Sequence, residues 1–395
     1  MVSMKIKTNR IESIDFLRGV VMIIMALDHV RDYFNYGAFI GDPTDLETTT
    51  PFLFFTRIIT HYCAPIFVLL TGTAAYIYGS KKSKLTLSKF LLTRGLWLIF
   101  LELILNNFIW WFDITYNFIV FQVIWAIGIS MVMLSGLVYL HKRYIFFIGI
   151  LITLFHNLFD QLIVEGTNFT SILWYILHQG GSIPFNDGTL NFFYPVIPWT
   201  GIMCLGYCLG SLYTKDVGSE FRIALLYKIG IGAVVAFVLL RFLSFYGDAH
   251  LWEIQKSVSR TIMDFFKVSK YPPSLHYTLM TVGPALILLA FIEKYKNKFT
   301  DFFVVFGRVP LLYYFLHVLV IHVFAIIVLL IAGDDWSLMI INSTSFKNQL
   351  LVDYGYNLFI VYLIWLVLIA LLYPICKKYM IYKVSNKDKW WLSYL

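Results

Sequence analysis

The sequence has few charged residues. Only 14% of the residues are Asp, Glu, Lys or Arg, whereas 59% are hydrophobic. In a soluble domain about a quarter of the residues are charged, so this composition excludes an ordinary soluble enzyme. The sequence also lacks internal repeats and long linkers rich in proline, glycine or serine. Together these features indicate one integral-membrane domain over residues 1–395.

Cysteine is scarce, and the common nucleotide and hydrolase motifs are missing. The four cysteines lie in or beside apolar runs, so we expect packing residues rather than disulfides or metal ligands. There is no Walker A loop, HExxH, GxSxG or CxxC motif, so any nucleotide would be held by arginines and lysines, and no metal site is expected. The net charge is +8, and the Lys and Arg residues lie in short loops between the hydrophobic runs. Their positions are explained by the topology of a membrane protein rather than by nucleic acid binding.

Long apolar runs are what the sequence has in abundance. Ten of them are about 20 residues long, enough to cross a bilayer as a helix. Basic and acidic loops alternate between them, and basic loops favour the cytoplasm. We therefore predict an all-α polytopic bundle of about ten membrane-spanning helices, with residues 1–12 and the tail 377–395 both cytoplasmic. The runs begin near Ile14, Phe52, Lys89, Phe118, Tyr144, Phe192, Arg222, Ser274, Val309 and Tyr356.

Two further patterns concern the bundle surface. Apolar residues recur at helical spacing from Leu251 to Phe265, which predicts an amphipathic helix lying on the outer surface. Aromatic residues cluster at Trp110–Trp111 and again at Phe192–Trp199. Such clusters are typical of the aromatic belts at membrane interfaces.

The first apolar run, IDFLRGVVMIIMALDHVRDYF, carries charged residues near both ends. A charge in the bilayer core costs about 2.5–3.5 kcal/mol on insertion scales, so such residues are candidates for function. Arg18 and His29 are eleven residues apart, which places them within about 20° on one helix face and about 16 Å apart along the axis. Asp28 precedes His29 and points in a different direction.

In the other runs, the polar residues are arranged by depth in the membrane as Arg18 and His29 are in the first. Arginines lie near the cytoplasmic boundary, whereas histidine, glutamate and asparagine lie between the middle and the outer half. Imidazole is the side chain best matched to proton transfer near neutral pH. The candidates are therefore the low arginines Arg18, Arg94 and Arg308 and the higher residues Asp28, His29, His61, His317, Glu102, Asn106 and Asn107.

Structural roles compete with these assignments. A helix-end ion pair between Arg18 and Asp15 is one alternative, and His61 or Glu102 would serve equally well as a structural hydrogen-bonding or charge-neutralising group. His322 is interpreted as structural. The remaining histidines are interpreted as ordinary polar residues of loops and helix ends; they are His141, His156, His178, His250 and His276.

Five segments together resemble one known family. SIDFLRGVVMIIMALDHVRDYF resembles the opening of the bacterial branch of the heparan-alpha-glucosaminide N-acetyltransferase catalytic-domain family. The likeness continues through HYCAPIFVLLTGTAAYIYG, FFYPVIPWTGIMCLGYCLG, KYPPSLHYTLMTVGPALILLA and VFGRVPLLYYFLHVLVIH. The Arg-Gly pair with a histidine eleven residues after the arginine is also similar to the first-helix motif of membrane sugar O-acyltransferases.

The resemblance implies an acyltransferase that takes an acetyl group from cytoplasmic acetyl-CoA and passes it to a sugar or glycan acceptor across a bacterial plasma membrane. It implies that Arg18, Arg94 and Arg308 hold the phosphates of acetyl-CoA, for which guanidinium is well suited. His29 would act as general base or accept the acetyl group itself. Contacts to the acceptor or to the developing oxyanion would come from Glu102, Asn106 and Asn107.

The match to relatives differs between the two candidate histidines. The lysosomal branch has asparagine at the position of His29, whereas His317 matches a histidine of both branches. Transfer to an amine and transfer to a hydroxyl therefore both stay open, as does a homodimer. The competing hypothesis is a secondary transporter in which His29, His61 and Glu102 relay protons, although the inverted repeats common in transporters are not seen.

Overall fold

The computed structural model describes residues 10–39, 41–295, 297–348 and 350–393. Residues 1–9 of the predicted N-terminal segment and residues 394 and 395 of the predicted tail lie outside the described residues. The described chain is mostly helical. Its α-helices are α1 Glu12–Phe34, α2 Pro51–Thr60, α3 Cys63–Gly79, α4 Lys84–Leu101, α5 Asn107–Trp111, α6 Val123–Leu137, α7 Lys142–Phe155, α8 Phe169–Trp174, α9 Val196–Gly210, α10 Ser219–Leu243, α11 Val258–Phe266, α12 Leu275–Lys294, α13 Lys298–Arg308, α14 Pro310–Ala332, α15 Ser343–Lys347 and α16 Leu358–Ser385.

Short segments of other helix types connect several of these helices. Two are π-helical, Glu102–Asn106 between α4 and α5 and Tyr175–Gln179 after α8. The 3₁₀ segments are His156–Phe159, Ser211–Tyr213, Trp336–Met339 and Trp390–Ser393.

The predicted membrane-spanning runs correspond to helices. Each of the ten runs contains an α-helix in the described chain. Seven of the described helical stretches are long and apolar enough to cross a membrane, which makes the chain a multi-pass membrane protein. They are Pro51–Gly79, Lys142–Phe159, Val196–Tyr213, Ser219–Leu243, Leu275–Lys294, Pro310–Ala332 and Leu358–Ser385. The count of ten crossings and the cytoplasmic side of both termini stay predictions.

A small β-sheet corrects the all-helical prediction. Its strands are β1 Phe118–Phe121, β2 Gly181–Phe185 and β3 Gly188–Phe192, in the order β1-β3-β2. β1 pairs with β3 in parallel, and β2 pairs with β3 as an antiparallel hairpin. The run that begins near Phe118 is therefore a strand first, and the helix starts only at Val123. A short apolar run of this kind fits a strand or a helix equally well by periodicity, which explains the error.

The predicted amphipathic helix is shorter than its apolar pattern. It begins at Val258 rather than at Leu251, with the Ser257 side chain accepting a hydrogen bond at its N-terminus. The preceding residues are held in an extended course by the Asp264 carboxylate, which accepts from the Glu253 backbone N–H at 2.9 Å. The competing hydrogen bonds therefore override the helical periodicity of this segment.

α1 lies inside the protein, which explains how it tolerates its charges. It packs against α13, α14 and α16, and the structure buries most of its residues. Two glycines allow the closest approach, between α1 and α13. A Cβ atom on Gly19 would lie 1.9 Å from the Phe303 carbonyl oxygen, and one on Gly307 would lie 1.8 Å from the Asp15 carbonyl oxygen. Small residues that let helix backbones touch are typical of packing in membranes.

Gly19→Ala is expected to destabilise the protein by at least about 3 kcal/mol, the upper end of the usual range for overpacking. The added methyl group meets a backbone carbonyl that has no rotamer to change. Thermal unfolding in detergent measures the effect. Gly232→Ala in α10 is the matched control, because no atom lies within 4 Å of a Cβ atom there. Equal stability of the two variants would contradict the contact.

Candidate active site

α1 and α14 bring two of the predicted histidines together. His29 Nδ1 lies 2.7 Å from His317 Nε2, and the two rings are nearly parallel, with their centroids 4.9 Å apart. Both side chains are buried. The contact joins residues 288 positions apart in the chain.

The hydrogen bonds of this pair define the tautomers. His317 Nδ1 lies 2.7 Å from the Tyr313 carbonyl oxygen, which only accepts, so that nitrogen carries the proton. In a neutral His317 ring, Nε2 is then the acceptor, and His29 Nδ1–H donates to it. His29 Nε2 is left with its lone pair, and the hydrogen bond found for this ring among the described residues is the one at Nδ1. A neutral imidazole with one free nitrogen, oriented through the other, is the arrangement of a general base or nucleophile.

Aromatic rings enclose the histidine pair. Trp110 packs edge-on against His29 with centroids 4.7 Å apart, and its indole N–H donates to the Tyr314 hydroxyl at 3.4 Å. Tyr314 stands edge-on to both imidazoles, 6.0 Å from His29 and 5.7 Å from His317. Trp110 is buried in this cluster, and its predicted place in an interfacial belt stays a prediction.

A cluster of guanidinium groups lies at the other end of α1. The buried Asp15 carboxylate pairs with Arg18 at 3.2 Å, with Arg308 at 3.3 Å and with Arg10 at 3.4 Å. Arg18 also donates to the Gly307 carbonyl oxygen at 3.1 Å. The Asp15 carboxylate therefore forms ion pairs with three arginines. Both the predicted ion pair of Arg18 with Asp15 and a basic cluster able to take an anion are present.

A cavity of 430 Å³ connects this basic cluster with the surroundings of the histidines. Arg18, Met22 and Met25 line it along one face of α1, and His29 is the next residue on that face. Tyr314 also lines the cavity, which therefore comes within one aromatic ring of the histidine pair. Its volume falls in the range of small-molecule sites. The basic residues of the lining are Arg10, Arg18, Arg94, Arg308 and Lys383, so all three predicted phosphate-binding arginines border one space.

Asp28 lies in a network of buried charges beside this site. Both of its oxygens accept from Arg57, at 2.6 and 2.8 Å, and Arg31 lies 2.9 Å away. The Thr60 hydroxyl donates to the same carboxylate at 2.7 Å. These contacts join α1 to α2, and none of the hydrogen bonds of Asp28 in the described chain goes to the His29 ring. The structure thus gives Asp28 a packing and charge-balancing environment.

His61 occupies the break between α2 and α3. Its ring packs edge-on against Tyr277, with centroids 5.4 Å apart, and its carbonyl oxygen accepts from the Tyr277 hydroxyl at 2.7 Å. Its Nδ1 is buried and has no hydrogen-bond partner among the described residues. No hydrogen bond in the described chain joins His61 to His29, although the adjoining Thr60 and Asp28 are bonded.

The three polar residues of the predicted acceptor site lie where α4 changes into a π-helical turn. Glu102 accepts from the Asn106 amide at 2.7 Å and from the Trp125 backbone N–H at 3.0 Å, at the N-terminus of α6. Asn107 accepts from the backbone N–H of Val120 at 2.8 Å and donates to its carbonyl oxygen at 3.2 Å. These contacts hold α4 to α6 and to β1, as expected for a helix cap and a strand clamp.

Two kinds of site residue escaped the sequence reasoning. Arg57 lies inside the second apolar run, so the rule that marks intramembrane charges as functional candidates was sufficient to find it. Trp110 and Tyr314 gave no such signal, because the chain has 11 Trp and 26 Tyr and aromatic residues occur in every run. His322, interpreted as structural, lies 2.8 Å from the Ile109 carbonyl oxygen and 2.7 Å from that of Met339.

Comparison with known proteins identifies a family. The family model described as "Heparan-alpha-glucosaminide N-acetyltransferase, catalytic" matches residues 10–247, which is more than half of the chain. The matched range includes Arg18, His29 and Glu102 and ends before α13 and α14. A search of the curated proteins finds no match.

Proposed function

The chain belongs to the heparan-alpha-glucosaminide N-acetyltransferase catalytic family, and on that premise we propose that it moves an acetyl group from cytoplasmic acetyl-CoA to an amine or hydroxyl of a sugar on the outer side of a bacterial plasma membrane. The family is one of membrane acyltransferases. The observation that carries the proposal is the free Nε2 of His29, held by the 2.7 Å contact with His317 beside the arginine-lined cavity.

The donor would bind with its phosphates at the basic cluster. Among the described residues, the ion pairs of Arg10, Arg18 and Arg308 all go to the Asp15 carboxylate, so the cluster keeps excess positive charge for an anion. Guanidinium groups form strong charge-assisted hydrogen bonds with phosphate oxygens. The pantetheine arm would extend along the Arg18–Met22–Met25 face of α1, and rotation of the Tyr314 ring would admit the thioester to His29.

The chemical step would use His29 as the base. As the acceptor nitrogen or oxygen attacks the thioester carbonyl, His29 Nε2 takes the acceptor proton, and the carbon–sulfur bond then breaks to release the CoA thiolate. The proton passes to that thiolate, which gives free CoA and the acetylated sugar. His317 accepts the His29 Nδ1–H and stabilises the imidazolium that forms between these two proton transfers. An acetyl group carried on Nε2 itself is compatible with the same geometry.

Arg18→Ala is expected to weaken acetyl-CoA binding by roughly 10- to 100-fold, the value of one or two charge-assisted hydrogen bonds. Titration calorimetry of the purified protein in detergent measures the affinity. Arg143→Ala is the matched control, because it removes the same charge from an exposed position at the start of α7, outside the cavity. An unchanged affinity in Arg18→Ala would count against the phosphate assignment.

The transporter hypothesis requires a proton relay among His29, His61 and Glu102. In the described chain no hydrogen bond joins these residues to each other, and the Glu102 carboxylate is occupied at the start of α6. A transporter has no need to bind acetyl-CoA, so the wild-type titration separates the two classes. Absence of any acetyl-CoA binding would favour the transporter.

A further inference from the structure

A second group of histidines lies away from the His29–His317 pair, where α7 ends. His156 and Asp160 follow α7, and His178 lies in the π-helical segment Tyr175–Gln179. One nitrogen or oxygen atom from each of these three side chains lies within 4.8 Å of the other two. His178 Nε2 is 3.0 Å from an Asp160 oxygen, and the His156 and His178 rings are 5.6 Å apart.

The two imidazoles have unused nitrogen atoms in a closed environment. His156 is 3% exposed and His178 is 1% exposed. The Nδ1 atom of each is buried and has no hydrogen-bond partner among the residues that the structure describes. Buried polar atoms are almost always satisfied by a partner, so the orphaned His156 Nδ1 calls for a ligand that the chain itself does not supply, whereas His178 faces Asp160 through its other nitrogen, Nε2.

The surroundings hold the cluster in place. The Asn157 side-chain amide nitrogen donates to the second Asp160 oxygen at 2.8 Å, and its side-chain oxygen Oδ1 accepts from the Leu275 backbone N–H at 2.9 Å. Trp174 packs on the His178 ring with centroids 5.2 Å apart. A hydrogen-bonded carboxylate is a supporting contact that metal ligands normally have.

We propose that His156, Asp160 and His178 bind Zn²⁺. Two imidazoles and one carboxylate are a common zinc donor set, with the fourth position left to water. Ligand atoms at zinc distances stand about 3.4 Å apart in a tetrahedron, close to the separation of His178 Nε2 and Asp160. On binding, the proton that His178 shares with Asp160 is released to solvent. The ion joins the end of α7 to the segment that leads into β2, independently of acyl transfer.

Metal content after equilibration of the full-length protein with Zn²⁺ and removal of free metal tests the proposal. Mass spectrometry of the metal is expected to find about one zinc per chain in the wild type. Asp160→Asn and His178→Ala should each lower zinc affinity by at least about 10-fold. His250→Ala is the matched control, because His250 also pairs with a carboxylate, Asp264, at 2.6 Å but has no third ligand residue in the described chain. The His250→Ala variant should bind as much zinc as the wild type.

A wild type that binds no zinc, or a His178→Ala variant that binds as much as the wild type, would overturn the site. Co²⁺ in the wild type supplies a test that needs no variant. Bound Co²⁺ is expected to show the visible absorption of a four-coordinate centre and to lose it when Zn²⁺ is added. Failure to see any bound Co²⁺ spectrum would equally count against the site.

Discussion

Replacing His29 by alanine is expected to lower acetyl transfer by about 100- to 10,000-fold, the contribution of a well-placed general base. The variant loses the nitrogen that is free to take the acceptor proton, and the His317 Nε2 loses its donor. Release of the CoA thiol in the presence of cell-envelope glycans measures the rate.

The affinity for acetyl-CoA distinguishes a catalytic role of His29 from a structural one. The basic cluster lies about 16 Å further along α1, so His29→Ala should bind acetyl-CoA nearly as well as the wild type. Arg18→Ala should show the reverse, with weakened binding and a smaller change in turnover at saturation. Normal turnover in a folded His29→Ala protein would refute the role, and loss of both binding and stability would make His29 a packing residue.

Asp28→Asn is expected to destabilise the protein by about 3–5 kcal/mol, the usual cost of removing one partner from a buried ion pair. The substitution keeps the size of the side chain but leaves Arg57 and Arg31 without their shared counter-charge inside the bundle. Thermal unfolding in detergent gives the change in stability, and the same samples serve for the activity assay.

Asp32→Asn is the matched control for this substitution. Asp32 also pairs with Arg31, but 37% of its side chain is exposed, so water screens the charge. Its replacement should cost about 1 kcal/mol or less. Similar losses in both variants would contradict the importance of burial. A stable but inactive Asp28→Asn protein would instead support the catalytic role that the sequence suggested.

The sequence was sufficient to predict relations within one helix. Because helix geometry is regular, the spacing of Arg18 and His29 placed both on one face of the first run, and α1 is continuous from Glu12 to Phe34. The sequence was also sufficient to group Arg18, Arg94 and Arg308, because charged residues in apolar runs have few stable positions. All three predicted arginines border the same cavity.

Relations between helices were beyond the sequence. Depth alone placed His29, His61 and His317 at similar levels, and it does not say which helices are neighbours. Packing of α1 against α14 brings His29 to His317, whereas His61 packs on Tyr277 of α12. The π-helical turn at Glu102 rotates Asn106 and Asn107 relative to a regular helix, so their contacts with α6 and β1 did not follow from spacing.

The single carboxylate shared by three arginines also bears on how the reaction would be regulated in the cell. On the proposed function, this cluster recognises the nucleotide end of the donor, and that end is identical in acetyl-CoA and in the spent thiol. Acetyl-CoA and free CoA would therefore compete for the same binding site with similar affinity. Free CoA, the product, would then inhibit the next turnover. The rate of glycan acetylation would then depend on the ratio of acetyl-CoA to free CoA in the cytoplasm. In this way the carbon supply of the cell would control how far the glycans outside it are acetylated.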